Sequence, residues 1–168
     1  MNIRSEALPD YPKIAEVITS AFGQPNEAKL VEAIRNSENY IPELSLIAEI
    51  DGNIVGHVLF SYIHVVSNEI LSVLALAPVA VSPQFQNQGI GTALVQYGLD
   101  RADELGEALV IVLGHPSFYS RFGFVQSTYY GIKSPFEVSA EAFMVKPLKN
   151  YEIKYTGDVI YPQVFNNV

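Results

Sequence analysis

The residues best suited to chemistry are Gln86-Asn87-Gln88-Gly89-Ile90-Gly91-Thr92, a polar turn between an apolar strand and a helix with an apolar stripe. The first amides of a helix have no partner inside it, and the macrodipole adds partial positive charge there. Gly89 and Gly91 carry no Cβ, so a phosphate oxygen can come close to the backbone. Such a turn binds an anion through its amides without a cationic side chain. Two nucleotide-binding patterns find little support. A dinucleotide fingerprint needs a glycine where Leu94 stands, and needs its first glycine directly after the strand, whereas seven residues separate Val81 from Gly89. A P-loop needs Gly-Lys-Ser/Thr, and the chain lacks that tripeptide.

Tyr119 lies among Phe118, Phe122 and Phe124, and the simplest reading of this stretch is an aromatic packing cluster. Other chemistries are poorly served. With no cysteine, disulfides, thiolate metal sites and a cysteine acyl intermediate are excluded. His57 and His64 lie seven apart on one strand, hence on opposite faces, and His115 is remote from both in sequence. No histidine pair has the helical spacing of a zinc site, and no Gly-x-Ser-x-Gly elbow is present, so neither a metal nor a serine hydrolase is expected.

The turn, as Gln86-x-x-Gly89-x-Gly91, resembles the acetyl-coenzyme A signature (Arg/Gln)-x-x-Gly-x-(Gly/Ala) of the GNAT N-acetyltransferases. Leu76-Ala77-Pro78-Val79-Ala80-Val81-Ser82-Pro83 resembles that family's fourth strand and its exit. Gly114-His115-Pro116-Ser117-Phe118-Tyr119-Ser120-Arg121-Phe122-Gly123-Phe124 is similar to its tyrosine segment, Tyr-x-x-x-Gly-Phe, in a variant found in a branch of bacterial acetyltransferases. The resemblance covers roughly residues 1–146 and is close over 70–124.

The resemblance implies an α+β fold, a GNAT-like acyl-CoA N-acyltransferase fold with a mixed, mostly antiparallel sheet splayed between strands 4 and 5 and flanked by helices. It implies acetyl-CoA as the cosubstrate, with the pyrophosphate resting on the backbone of Gln86, Asn87, Gln88, Gly89, Ile90, Gly91, Thr92 and Ala93. By the same likeness Val79, Ala80 and Val81 supply the strand along which the pantetheine arm pairs. Leu113 and Gly114 form the opposite wall, with Phe118 and Tyr119 close by. In the implied reaction Tyr119 protonates the departing sulfur while the acetyl group moves directly to a primary amine. Some branches use a fourth-strand glutamate as base, but Leu71–Val81 holds no titratable residue. His115, Glu27, Glu49 or an ordered water remain open for that task. A catalytically silent acyl-CoA sensor of the same fold is the alternative.

Several elements must position these groups. Asn2–Glu6 reads as a first strand, and Asp10 as the N-cap of a helix with Ile14, Val17, Ile18, Ala21 and Phe22 at helical spacing. A short second helix presents Leu30, Val31 and Ile34. Asp51-Gly52 between the apolar runs Leu44–Ile50 and Ile54–His64 signals a hairpin. Ile70–Val81 is nearly all apolar, which suits a central strand, and Pro78 inside it marks a bulge or an opened pair. The helix from Gly89 to about Leu105 buries Ile90, Leu94, Gly98, Ala102 and Leu105, with Gly106 as its stop. Ala108–Leu113 follows a helical crossover and is expected to run parallel. A short helix around Ser117–Phe122 and strands near Val125–Tyr130 and Ala142–Lys146 complete a single domain spanning 1–168. Its arm, about 147–168, carries Tyr151, Tyr155, Tyr161 and Phe165, suited to packing on the sheet, lining an acceptor pocket or forming a homodimer contact.

Composition bounds the rest. Hydrophobic residues are 49% and charged residues 17% of the 168, enough apolar matter for one core. A formal charge of −8 opposes nonspecific nucleic-acid binding and could attract a cationic amine, on a small molecule or a protein. No apolar run reaches the about 18 residues of a membrane span, and the N-terminal residues lack a signal-peptide core, so no membrane partner and a cytoplasmic location are expected.

Overall fold

A computed structural model describes residues 1–166; the last two residues of the expected arm, Asn167 and Val168, lie outside the described residues. In chain order the elements are β1 (Asn2–Ser5), α1 (Tyr11–Phe22), α2 (Asn26–Arg35), β2 (Ser45–Ile50), β3 (Asn53–Val66), β4 (Ile70–Val81), α3 (Ile90–Glu104), β5 (Leu109–Leu113), α4 (Pro116–Tyr119), β6 (Val125–Gln126), β7 (Ile132–Lys133), β8 (Phe143–Pro147) and β9 (Gly157–Ile160). The strands form one mixed sheet in the order β1-β2-β3-β4-β5-β8-β6, with β9 paired to β3 and β7. Among the described residues only β4–β5 and β7–β9 are parallel. The mixed, mostly antiparallel sheet flanked by helices is the fold expected from the sequence.

The hairpin of β2 and β3 turns at Asp51 and Gly52, with φ of 52° and 79°, the left-handed pair that a type I′ turn requires. Across β3 and β4, Val58 pairs with Val79 but Phe60 pairs with Leu76. The strand β4 therefore spends one extra residue, at Ala77-Pro78, opposite Leu59. Proline has no amide to give the ladder, which is why the sequence tolerates the irregularity here.

That extra residue shifts the alternation of side chains. Leu74, Leu76, Val79 and Val81 face α3, packing with Ile90, Leu94, Val95 and Leu99, whereas Ala75 and Ala80 face the other side. The second face is covered in two parts. Ile14, Val17, Ile18, Val31 and Ile34 of α1 and α2 pack on Ile47, Leu59 and Ala80. Tyr130, Tyr151, Tyr155, Tyr161 and Phe165 cover Ile63, Val73, Ala75 and Ile111. The aromatic tail thus packs on the sheet and contributes β9, which continues along β3 at His64–Val66. In α3, a Cβ on Gly98 would fall inside the edge of the Phe60 ring, so the glycine is a packing requirement. Its helix ends in a Schellman motif, Glu107 N–H to Ala102 carbonyl and Gly106 N–H to Asp103 carbonyl.

Three local expectations need correction. Leu105 lies past the end of α3 and is 36% exposed, because the helix has turned its stripe away by then. The segment Val125–Tyr130 is a strand for two residues only; Ser127–Tyr130 is a 3-10 turn, pinned by Ser127 Oγ donating to the Ile132 carbonyl at 2.9 Å. Asp10 does not cap α1 with its side chain, which instead accepts from the Ala7 amide and from Arg4. Among the described residues, no helix is long and apolar enough to cross a membrane.

A buried polar cluster locks β1, α2, β2 and β3 together. The fully buried carboxylate of Glu6 accepts from Arg35 at 2.8 and 3.0 Å, from the Tyr40 hydroxyl at 2.6 Å, and from His57 Nε2 at 3.2 Å. Burial alone would raise the Glu6 carboxyl, but these hydrogen bonds outweigh it and hold it well below the usual carboxylate range. Burial likewise lowers His57, so the neutral ring donates from Nε2 and Arg35 carries the balancing charge.

A carboxylate depressed in this way stabilises the fold above about pH 4.3 and loses that contribution as pH falls toward its folded value. Denaturant titrations should show stability declining in that acid window. Glu6→Gln should cost about 3 kcal/mol at neutral pH, by stranding Arg35, and should flatten the acid decline. An unchanged acid profile in Glu6→Gln would contradict the assignment.

Candidate active site

The polar turn becomes a concavity. Pro83–Phe85 forms a 3-10 turn after β4, then Asn87 and Gly89 take φ of 63° and 85°. Alternating left-handed residues turn successive amides inward, a nest for an anion. The first bond inside the helix is Ala93 N–H to the Gly89 carbonyl at 3.0 Å, so the amides of Ile90, Gly91 and Thr92 precede the ladder. Nothing within 4 Å would meet a Cβ at Gly89, which leaves the approach open.

A cavity of about 590 Å³ sits on this corner, lined by Val79, Val81, Gln86, Asn87, Gly89, Ile90, Gly91, Thr92 and Phe118 from the expected set. Five further expected residues, Ala80, Gln88, Ala93, Gly114 and Tyr119, lie outside its lining. Ala80 is buried toward α1, Gln88 is exposed with its amide on the Gln84 carbonyl at 3.5 Å, and the Ala93 amide is spent in the helix. Ala21, Phe22, Phe85 and Arg121 also line it, outside the set expected at the site. Among the described residues Arg121 is the one cation there. Its guanidinium donates to Thr92 Oγ1 at 3.2 Å and to the Phe118 carbonyl at 3.2 Å, and stacks 4.6 Å above the Phe118 ring. The arginine stands two residues beyond Tyr119 in sequence, but only the folded chain brings it over the helix N-terminus.

The backbone beside this cavity is equally telling. Ser82 N–H donates to the Val55 carbonyl, so strand alternation turns the N–H and C=O of Val79 and Val81 away from β3. They face the side where β5 would lie. Yet β5 pairs with β4 only at Leu74–Val110 and Ala75–Ile111, then follows β8 along its whole length. The two parallel strands part after Ala75. The Val81 carbonyl is taken by Gln86 Nε2 at 3.0 Å, which ties the turn to the strand.

Gly114 and Tyr119 stand at the β5 side of this parting. A Cβ on Gly114 would lie 2.5 Å from Tyr119 Cε2, so the glycine makes room for the ring. Tyr119 packs edge-on against Phe118 and Phe124 at 4.9 and 5.6 Å, and burial raises its phenol. It is a member of the aromatic cluster, and its raised phenol stays neutral at neutral pH. The candidate bases are scattered. His115 is exposed and caps α4 with its carbonyl, Glu27 holds Gln24, and Glu49 holds Arg4 and Asn2. His57 is committed to Glu6 and Ser45. Among the described residues no group of three or more His, Asp or Glu could hold a metal ion.

A parallel pair that parts beside a helix N-terminus nest is the architecture of an acyl-CoA N-acyltransferase. Residues 2–126 match the acetyltransferase (GNAT) domain model, and the chain belongs to the GNAT family of acetyltransferases. It is 36% identical over 168 residues to the uncharacterized N-acetyltransferase YhbS of Escherichia coli (strain K12), covering 99% of each chain. The crystal structure of Escherichia coli YhbS in complex with CoA is similar at a TM-score of 0.89 and 35% identity, over 99% of this chain and 92% of that one. A GNAT family acetyltransferase from Brucella melitensis, crystallised with acetyl-CoA, is similar at a TM-score of 0.80 and 29% identity, over 98% and 97%.

The contact at Gly114 sets an expectation. Gly114→Ala should displace the Tyr119 ring and cost about 1–3 kcal/mol of stability by overpacking. Thermal melting and the near-ultraviolet tyrosine circular dichroism should both change. A variant that matches the wild type in both would contradict the contact.

Proposed function

We propose that this chain transfers the acetyl group of acetyl-CoA directly to a primary amine, in a ternary complex. The single observation that carries the reading is the parting of β4 and β5 beside the Gly89–Thr92 amides. A diphosphate suits the nest and Arg121, and the outward N–H and C=O groups of Val79 suit the amides of a pantetheine arm, as an added strand would.

The chain's own groups then divide the work. An amide of β4 beyond the parting polarises the thioester carbonyl, so that the oxyanion of the tetrahedral intermediate meets a preorganised donor. The neutral amine attacks the carbonyl carbon, a C–N bond forms, and the C–S bond breaks. Tyr119, held neutral by burial, gives its proton to the departing sulfur. Solvent takes the surplus amine proton, because β4 carries no titratable side chain past Ile70. The phenolate recovers a proton from solvent. That missing carboxylate also favours a second reading, a sensor that holds acyl-CoA without turnover, and thiol release in the presence of amines separates the two.

Two substitutions test the machinery. Gly89→Glu places a carboxylate in the nest at a left-handed position and should remove calorimetric coenzyme A binding while leaving the far-ultraviolet spectrum intact; unchanged affinity would refute the site. Tyr119→Phe should lower kcat by about 100-fold with little change in coenzyme A affinity. Equal turnover by the two proteins would remove Tyr119 from the mechanism.

A further inference from the structure

A second cavity, of about 280 Å³, lies on the opposite face of the sheet. Ala75 and Ala77 of β4 and Ile111 and Leu113 of β5 form its floor, the very residues at which the two strands part. The first cavity borders the next stretch of β4 from the α3 side, at Val79 and Val81. A chain laid along β4 from the helix N-terminus past Val81 and Val79 therefore brings its far end to the floor of the second cavity.

The walls decide what that cavity accepts. Phe136, Tyr161 and Phe165 form a contiguous aromatic wall, with ring centroids 5.3 Å apart for Phe136 and Tyr161 and 5.1 Å for Tyr161 and Phe165. Leu30 of α2 closes the side toward the helices. Among the described residues, no carboxylate and no basic side chain lines it. Burial pushes the Tyr161 phenol up to about 12, so it carries no charge at neutral pH. Asn166 adds only a neutral carboxamide, so the extra ammonium groups of a polyamine, or the carboxylate of an amino acid, meet no opposite charge among these residues. An aryl or short apolar body gains ring contacts instead. The volume lies just under the about 300–1,000 Å³ typical of pockets for drug-sized ligands, which suits one ring on a short linker.

We propose that this cavity is the acceptor pocket and that it selects a compact primary amine with an aromatic or apolar body, an arylalkylamine in chemical class. The inference rests on the acetyl-transfer reading of the same site. It gives the aromatic C-terminal arm a function beyond packing, because Tyr161 and Phe165 supply the wall on which the acceptor's body lies.

Thiol release from acetyl-CoA by the full chain, with 2-phenylethylamine, spermidine, glycine and a peptide with a free N-terminus as acceptors, tests this. The expected result is a kcat/KM for 2-phenylethylamine at least about tenfold above the other three, the discrimination an apolar pocket supplies. Phe165→Ala should lower that kcat/KM about tenfold through the amine KM, with the KM for acetyl-CoA unchanged. If Phe165→Ala does not fold, the wild-type ranking and Phe136→Ala decide the matter. A preference for spermidine, glycine or the peptide, indifferent to Phe165, would overturn the pocket assignment and leave acetyl transfer standing. No thiol release with any amine, despite calorimetric binding of coenzyme A, would overturn acetyl transfer and this proposal together.

Discussion

The structure depends on one extra residue in β4. Opposite Leu59 the strand spends Ala77 and Pro78 where a regular ladder has room for one residue, and beyond it β4 keeps β3 but no longer pairs with β5. Val79 and Val81 turn their side chains toward α3 and their backbone polar groups toward a gap. Buried backbone groups are normally paired, so a strand that leaves donors and acceptors facing a gap is poised to pair with something else. Beyond Ala75–Ile111 β5 no longer pairs with β4, so its edge toward β4 leaves the gap open.

The helix N-terminus completes what the parting begins. The turn between β4 and α3 is short and rigid: Gln86 Nε2 clasps the Val81 carbonyl, and left-handed Asn87 and Gly89 swing the amides inward. An anion bound there is aligned with the gap, since the turn starts where the strand ends. The rest of the fold serves as support. Gly98 lets α3 lie directly on Phe60, and the Glu6 cluster holds the β1, α2 and β3 side in register. The mechanism draws on neither, yet both fix the sheet on which β4 is bent.

Much of this was legible in the residues because the cause is local. Gly89 and Gly91 before an apolar helical stripe, Asp51-Gly52 between apolar runs, and Pro78 in an apolar strand each state a backbone requirement that needs no distant partner. What stayed hidden depends on residues far apart in sequence. Arg121 reaches Thr92 across 29 positions, and Glu6 reaches His57 across 51, so neither contact has a spacing to betray it. Leu105 and Val125–Tyr130 misled for a different reason. Apolar character continued past the point where a helix stop or a hydroxyl-pinned turn had already ended the element. The aromatic tail was recognisable as a packing element, but its place beside the parting strands is a product of topology, through β9 on β3.

The most direct test of coenzyme A binding at the parted strands is a crystal structure of the chain grown with coenzyme A. Diphosphate oxygens are expected within hydrogen-bonding distance of the Ile90, Gly91 and Thr92 amides, and the pantetheine arm bonded to the backbone of Val79 between β4 and β5. Ligand bound elsewhere, with that corner filled by neighbouring side chains and the two strands closed together, would contradict this.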